Sequence, residues 1–193
     1  MAETPSTMLA LGTQMPAFRL ADPSGKSISS DDFGDAPGFL VAFICNHCPY
    51  VKHIRSHFAQ LAREYQAKGV AFVGINSNDV KEYPEDSPEM MAKEVKTIGY
   101  SFPYLYDERQ EVEKAYQAAC TPDFYLFDRE RRLVYRGQMD DSRPGNKRPV
   151  TGADLRSALD AVLAAKPVST DQKPSVGCNI KWKPGNQPNY FHR

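Results

Sequence analysis

The sequence predicts an α/β fold with a central mixed β-sheet flanked by helices. Three observations carry that expectation. Two almost wholly apolar runs of strand length, residues 39–44 and 70–75, are separated by a long helical stripe. Turn-flanked extended pieces stand near both ends of this core, at residues 17–29 and 124–137. A pair of cysteines, Cys45-Asn46-His47-Cys48, occupies the junction between the first apolar run and the stripe.

The elements follow in chain order. Asp22-Pro23-Ser24-Gly25 is turn chemistry between two short extended pieces and predicts an N-terminal β-hairpin. Residues 39–44 predict a buried strand. A helix is expected from near Val51, with Ile54, Phe58, Leu61 and Tyr65 completing a stripe spaced 3, 4, 3, 4, and with Gly69 as its stop. Residues 70–75 predict a second buried strand, ending in the polar loop Asn76-Ser77-Asn78-Asp79. Ser87-Pro88-Glu89 combines an N-cap, a proline at N1 and an acid in the first turn, so a helix starts there and ends at Gly99. A short strand at 104–106, a helix over 108–118, a hairpin of 124–127 with 133–137, and a closing helix over 153–165 complete the domain. The charge-rich run 107–113 reads as surface. Beyond Lys166, Pro167, Pro174, Pro184 and Pro188 predict an irregular C-terminal tail whose Trp182, Tyr190 and Phe191 dock back on the domain. The expected organisation is one domain over 1–165 followed by a tail over 166–193.

Composition removes several function classes. The chain has 193 residues and 41% hydrophobic residues, enough for one domain with a core. Lys+Arg and Asp+Glu each number 24, so the basic footprint of a nucleic-acid binder is missing. No apolar stretch approaches the ~20 residues of a membrane helix. Residues 1–10 lack a basic-then-apolar pattern, and a cytoplasmic location is the expectation. Four cysteines, Cys45, Cys48, Cys120 and Cys178, are too few and too unevenly spaced for a secreted disulfide framework.

Two thiols two residues apart at a strand-to-helix junction suit reversible dithiol–disulfide chemistry. The first helical turn brings i and i+3 together. The helix N-terminus, with its unpaired N–H groups and about half a positive charge, favours a thiolate. Half of a zinc site is the competing reading, with His47, His53 and His57 as further ligands. Neither Cys120 nor Cys178 supplies the second pair that zinc usually takes, so no metal is expected. His53 and His57, beside Lys52 and Arg55, read as a solvated basic face.

The order strand, Cys-x-x-Cys, long helix, βα elements and a late Thr121-Pro122 before a hairpin resembles the thioredoxin-like fold. Over residues 12–165 it is most similar to the redoxin branch, which includes the alkyl-hydroperoxide-reductase/thiol-specific-antioxidant proteins. The supporting segments are 12–20 (GTQMPAFRL), 70–79 and 121–128 (TPDFYLFD). Cys45-Asn46-His47-Cys48-Pro49-Tyr50-Val51-Lys52-His53 resembles an uncharacterised thioredoxin-like subgroup, in which the tail segment 177–182 (GCNIKW) recurs. Three positions depart from the family patterns. Ile44 stands where thioredoxins place Trp. Phe39 stands where they bury a proton-shuttling Asp, which leaves Asp140-Asp141 as weak substitutes. Ala42 stands where peroxiredoxins require Thr, which argues against peroxide reduction in their manner.

The resemblance implies roles. Cys45 is the nucleophile and the more exposed thiol; Cys48 is buried and resolves the mixed disulfide. His47 lies beside the Cys45 sulfur and stabilises its thiolate, making the disulfide more oxidising. Thr121-Pro122 is a cis peptide facing the pair, and Thr121 offers its backbone to a substrate strand. Cys120 lies at the rim of that face as a further redox thiol, a linking thiol or a small buried residue. Cys178 is either a buried small hydrophobe or a tail thiol reaching Cys120. The implied activity is thiol–disulfide oxidoreduction without a bound cofactor. Its partners are protein or small-molecule thiols and disulfides and an external electron donor, with neither nucleic acid nor membrane, and the chain is a monomer or weak dimer. The alternatives are a thiol-dependent peroxidase (antioxidant), a copper- or zinc-handling chaperone and a relic serving as an interaction module.

Overall fold

The computed structural model describes residues 3–191; residues 1, 2, 192 and 193, at the ends of the expected domain and tail, lie outside the described residues. The strands are β1 (Glu3–Pro5), β2 (Arg19–Ala21), β3 (Ser27–Ser29), β4 (Phe39–Phe43), β5 (Ala71–Asn76), β6 (Tyr104–Tyr106), β7 (Cys120–Thr121), β8 (Asp123–Phe127), β9 (Leu133–Gly137) and β10 (Val176–Asn179). The α-helices are α1 (Pro49–Gln66), α2 (Pro88–Ile98), α3 (Glu111–Tyr116) and α4 (Ala153–Leu163). Seven strands form a mixed sheet in the order β3-β2-β6-β5-β4-β8-β9. The β4–β5 and β5–β6 pairs are parallel; the other pairs are antiparallel.

The central strand β4 is buried along its whole length because both sheet faces are covered. Leu40, Ala42 and Ile44 join a core with Ile54, Phe58 and Leu61 of α1, Met91 of α2 and Leu155 and Leu159 of α4. Phe39, Val41 and Phe43 face the other way, onto Leu9, Phe18, and Val112 and Tyr116 of α3. This alternation aims the end of β4 at the start of α1, which is where the cysteine pair stands.

Local signals explain most boundaries. The Asp22 carboxylate accepts the Ser24 and Lys26 N–H groups and closes the β2–β3 turn. Helix α1 begins at Pro49 rather than near Val51, since proline at N1 gives up no intrahelical bond. Ser87 caps α2, and Gly99 ends it at φ +74°. Helix α3 is shorter than the expected 108–118, because left-handed Gln110 and Gln117 bound it. Ala164 and left-handed Ala165 likewise end α4 early.

Two sequence expectations are corrected. The charged run 107–113 is not all surface: Asp107, Gln110 and Glu113 are buried. Asp107 accepts the Glu111 and Glu113 N–H groups and so starts α3. The Gln110 amide donates to the Ser77 and Lys181 carbonyls and accepts the Lys183 N–H. The tail is not irregular throughout either, because β10 sits between β1 and β7 in a second, three-stranded sheet. Beyond β10, Lys181 is tied to Asn78 and Asp79 through backbone bonds, and Trp182 is buried with its ring edge-on to Tyr190 and Phe191.

Candidate active site

Four segments far apart in sequence meet at the cysteine pair: the β4–α1 junction, the loop before α2, the Thr121-Pro122 turn and β10. Cys48 is the N-cap of α1, so the positive end of the helix acts on Cys48 rather than on Cys45. The Thr121-Pro122 peptide is cis, and Thr121 touches both sulfurs. Its hydroxyl lies 3.3 Å from Cys45 Sγ, and its carbonyl accepts the Cys48 thiol at 3.2 Å. Cys45 and Cys48 are themselves within hydrogen-bonding reach.

Both members of the pair are buried, so Cys45 is more exposed than Cys48 only marginally. Its relative exposure is 2% against 0% for Cys48, because the end of β4 is covered by the loop before α2 and by the Thr121-Pro122 turn. Burial pushes the Cys45 thiol well above the ordinary range, and the nearby Asp86 carboxylate pushes the same way. Cys48 is held below that range. Its hydrogen bonds with the Cys178 and Cys45 sulfurs are the main cause, and the Val51 N–H of the first turn adds to them. The three sulfurs form one buried, hydrogen-bonded cluster centred on Cys48.

His47 does not direct a proton at Cys45. Its Nδ1 meets Asp86 Oδ2 at 2.6 Å, so Nδ1 carries the hydrogen, and its ring stacks on Tyr83 with centroids 4.9 Å apart. Nε2 is buried without a partner among the described residues. Cys45, His47 and Asp86 present ligand atoms within 4.8 Å of one another, a sulfur, nitrogen and oxygen set that a metal ion could take up.

Sequence reading missed Asp86. It is fully buried and accepts from the Asn46 N–H at 2.8 Å, the His47 N–H at 3.2 Å, the Asn78 side chain at 2.8 Å and His47. Its only sequence signal was its place as one of two adjacent acids in the proline-bracketed loop Pro84-Glu85-Asp86-Ser87-Pro88. Asp140, the substitute considered instead, accepts the Ser142, Thr151 and Gly152 N–H groups in the loop before α4. Asp141 pairs with Lys173 and Arg148. Tyr104 was missed as well: its hydroxyl donates to Asn46 Oδ1 at 3.1 Å and so orients the cysteine loop from β6.

The remaining candidates separate clearly. Cys178 reaches Cys48, with the sulfurs 2.9 Å apart, and not Cys120. The register explains this: Cys178 pairs with Thr121 and Asn179 with Cys120. Cys120 is buried near the Pro122 and Ser175 carbonyls, away from the other sulfurs, and its thiol is pushed up by burial. The Thr121 backbone edge expected to meet a substrate strand is filled by β10. His53 contacts Ser142 at 2.7 Å, and His57 is exposed.

Residues 11–136 match the model of the AhpC/TSA family. The structure superposes on an uncharacterized conserved protein from Geobacillus kaustophilus with a TM-score of 0.94 and 55% identity, covering 96% of this chain and 98% of that one. It also superposes on the thioredoxin domain of thiol-disulfide oxidoreductase BVU-2223 from Bacteroides vulgatus with a TM-score of 0.57 and 21% identity, covering 70% of this chain and 90% of that one. That likeness establishes the thioredoxin-like fold. Thiol-disulfide oxidoreductase ResA of Bacillus thuringiensis is 24% identical over 132 residues, 68% of this chain and 71% of that protein. These matches support a thioredoxin-like redox role. With the family model spanning the sheet, the cysteine loop and the Thr121-Pro122 turn, the chain belongs to the AhpC/TSA family.

Proposed function

We propose that the protein is a thiol–disulfide oxidoreductase whose working centre is the Cys45–Cys48 pair. The observation that carries this reading is the contact of one residue, Thr121, with both sulfurs beside a cis proline. In the cycle the Cys45 thiolate attacks a disulfide RS–SR, forming Cys45–S–S–R and releasing one thiolate. Cys48 then attacks Cys45 Sγ, the mixed disulfide breaks, and the second thiolate leaves. Two electrons pass to the substrate, and an external thiol donor restores the pair. Because Cys45 is buried, the cycle includes a step that uncovers it.

The name of the ResA relatives favours disulfide exchange over peroxide reduction. Ala42 argues in the same direction. His47, held by Asp86, acts on the pair through its position in the loop, with Nε2 the atom left to face a partner.

The test is reduction of a protein disulfide and of a small aromatic disulfide by the dithiol-reduced protein. Wild type is expected to turn over, Cys45→Ser to lose turnover, and Cys48→Ser to accumulate a mixed disulfide at Cys45. Turnover that survives Cys45→Ser overturns the assignment. Faster consumption of hydrogen peroxide than of either disulfide would favour the peroxidase instead, and stoichiometric metal in the purified protein would favour metal handling at Cys45, His47 and Asp86.

A further inference from the structure

The tail strand brings a third sulfur to the pair. Cys178 Sγ stands 2.9 Å from Cys48 Sγ, within about an ångström of the ~2.05 Å disulfide bond. Residues 48 and 178 are 130 positions apart, so only the docking of β10 creates this contact. The docking is built closely. Cys178 is in register with Thr121, the residue that touches both active-site sulfurs. A Cβ on Gly177 would stand 2.0 Å from the Thr121 carbonyl oxygen, so the strand approaches the turn at a distance that only glycine permits. On its other edge β10 pairs with β1, with Glu3 opposite Cys178. Cys120, equally buried, has no such neighbour; its Sγ rests 3.8 Å and 3.9 Å from carbonyl oxygens.

We propose that Cys178 is a third redox thiol, which exchanges with the oxidised pair to form a Cys48–Cys178 disulfide. This inference rests on the exchange cycle above, which supplies the Cys45–Cys48 disulfide. The Cys178 thiolate attacks Cys48 Sγ; the Cys48–Cys178 bond forms as the Cys45–Cys48 bond breaks. Cys45 leaves as the thiolate and takes up the proton that Cys178 lost. No electron enters or leaves, and no further oxidant is needed. The exchange moves the stored oxidation one sulfur along, returns Cys45 as a thiol and fastens β10 covalently over the Thr121-Pro122 turn.

The Cys178 thiol is pushed up by its hydrogen bond with Cys48 and by burial. Oxidation of Cys48 leaves Cys178 beside an electrophilic sulfur, so attack follows oxidation rather than preceding it.

The experiment treats the reduced full chain with oxidised glutathione, quenches with acid, alkylates and maps the unreduced digest by mass spectrometry. The expected result is a Cys48–Cys178 peptide alongside the Cys45–Cys48 peptide, with Cys45 alkylated in the population carrying the former. Cys178→Ser should remove the first peptide and lower Cys45 alkylation in the oxidised protein by about tenfold. Cys45→Ser should slow formation of the Cys48–Cys178 link; an unchanged rate overturns the relay. A Cys45–Cys48 link alone, with Cys178 alkylated throughout, overturns this inference and leaves the exchange cycle standing. Neither link overturns both. The wild-type map decides even if a serine variant fails to fold.

Discussion

Cys45 and Cys48 are three residues apart and face different surroundings. On the Cys45 side stands the loop before α2, with Asp86 collecting donors from Asn46, His47 and Asn78. On the Cys48 side stand the α1 N-terminus, the Thr121 carbonyl and the Cys178 thiol. The first side raises the cost of a thiolate, through burial above all and through the Asp86 charge. The second lowers it, through converging donors and the helix end. A Cys-x-x-Cys pair therefore does not by its spacing say which sulfur is charged; the elements packed on each side say so.

The largest test of this contrast lies on the tail side, at Asp123, immediately after Pro122. Asp123 is fully buried; Tyr125 donates to one carboxyl oxygen, and the other has no partner within hydrogen-bonding geometry among the described residues. Burial is the main cause that raises its pKa from 3.8 to about 7. With the folded value above the unfolded one, the native state binds the extra proton between these pH values. Stability is then full below pH ~4 and falls as pH rises towards 7, by roughly 4 kcal/mol from this group. Asp123→Asn should flatten that part of the curve in urea melts followed across pH, and an unchanged slope would place the titration elsewhere.

Next comes Gly177→Ala, which sharpens the contrast by loosening β10 from the turn. The added Cβ would meet the Thr121 carbonyl at 2.0 Å. The expected cost is about 1–3 kcal/mol, with Cys48 alkylating faster while Cys45 changes less. Equal gains at both sulfurs would mean that β10 shields the two sides alike.

The smallest expected effect is that of Asp86→Asn, which keeps the shape of the loop and removes its charge. With the new NH2 in the place of Oδ2, the Asn78 side chain loses its acceptor, at about 1–2 kcal/mol, and His47 Nδ1 accepts from the amide in its other tautomer. Titration of thiolate absorbance should show the Cys45 pKa falling, because the Asp86 charge that pushes it up is gone. A rise, or no change, breaks the assignment of Asp86 to the Cys45 side.

Much of the architecture was legible in the chain. The stripe from Val51 to Tyr65, the wholly apolar 39–44 run and the Ser87–Gly99 helix signals are local patterns, and each produced the element expected. The errors share one physical cause. Asp107 and Glu113 look like surface residues because nothing local reports burial. Asp107 is satisfied by the N–H groups of α3, whereas Glu113 has no partner for its carboxyl oxygens among the described residues and is pushed well up by burial. Four prolines hid a strand at 176–179, because β10 is held by cross-strand pairing to β1 and β7 and not by its own propensity.

By itself the chain determined that two thiols would stand at the head of a helix capping a buried strand, because strand, cap and stripe are written in neighbouring residues. Only the tertiary structure decided that Asp86, 41 positions beyond Cys45, and Cys178, 130 beyond Cys48, would flank them from opposite sides. Such contacts depend on where the chain returns after whole elements have packed. No periodicity records that path, and the chemistry of a buried sulfur depends on which charges and donors it brings back.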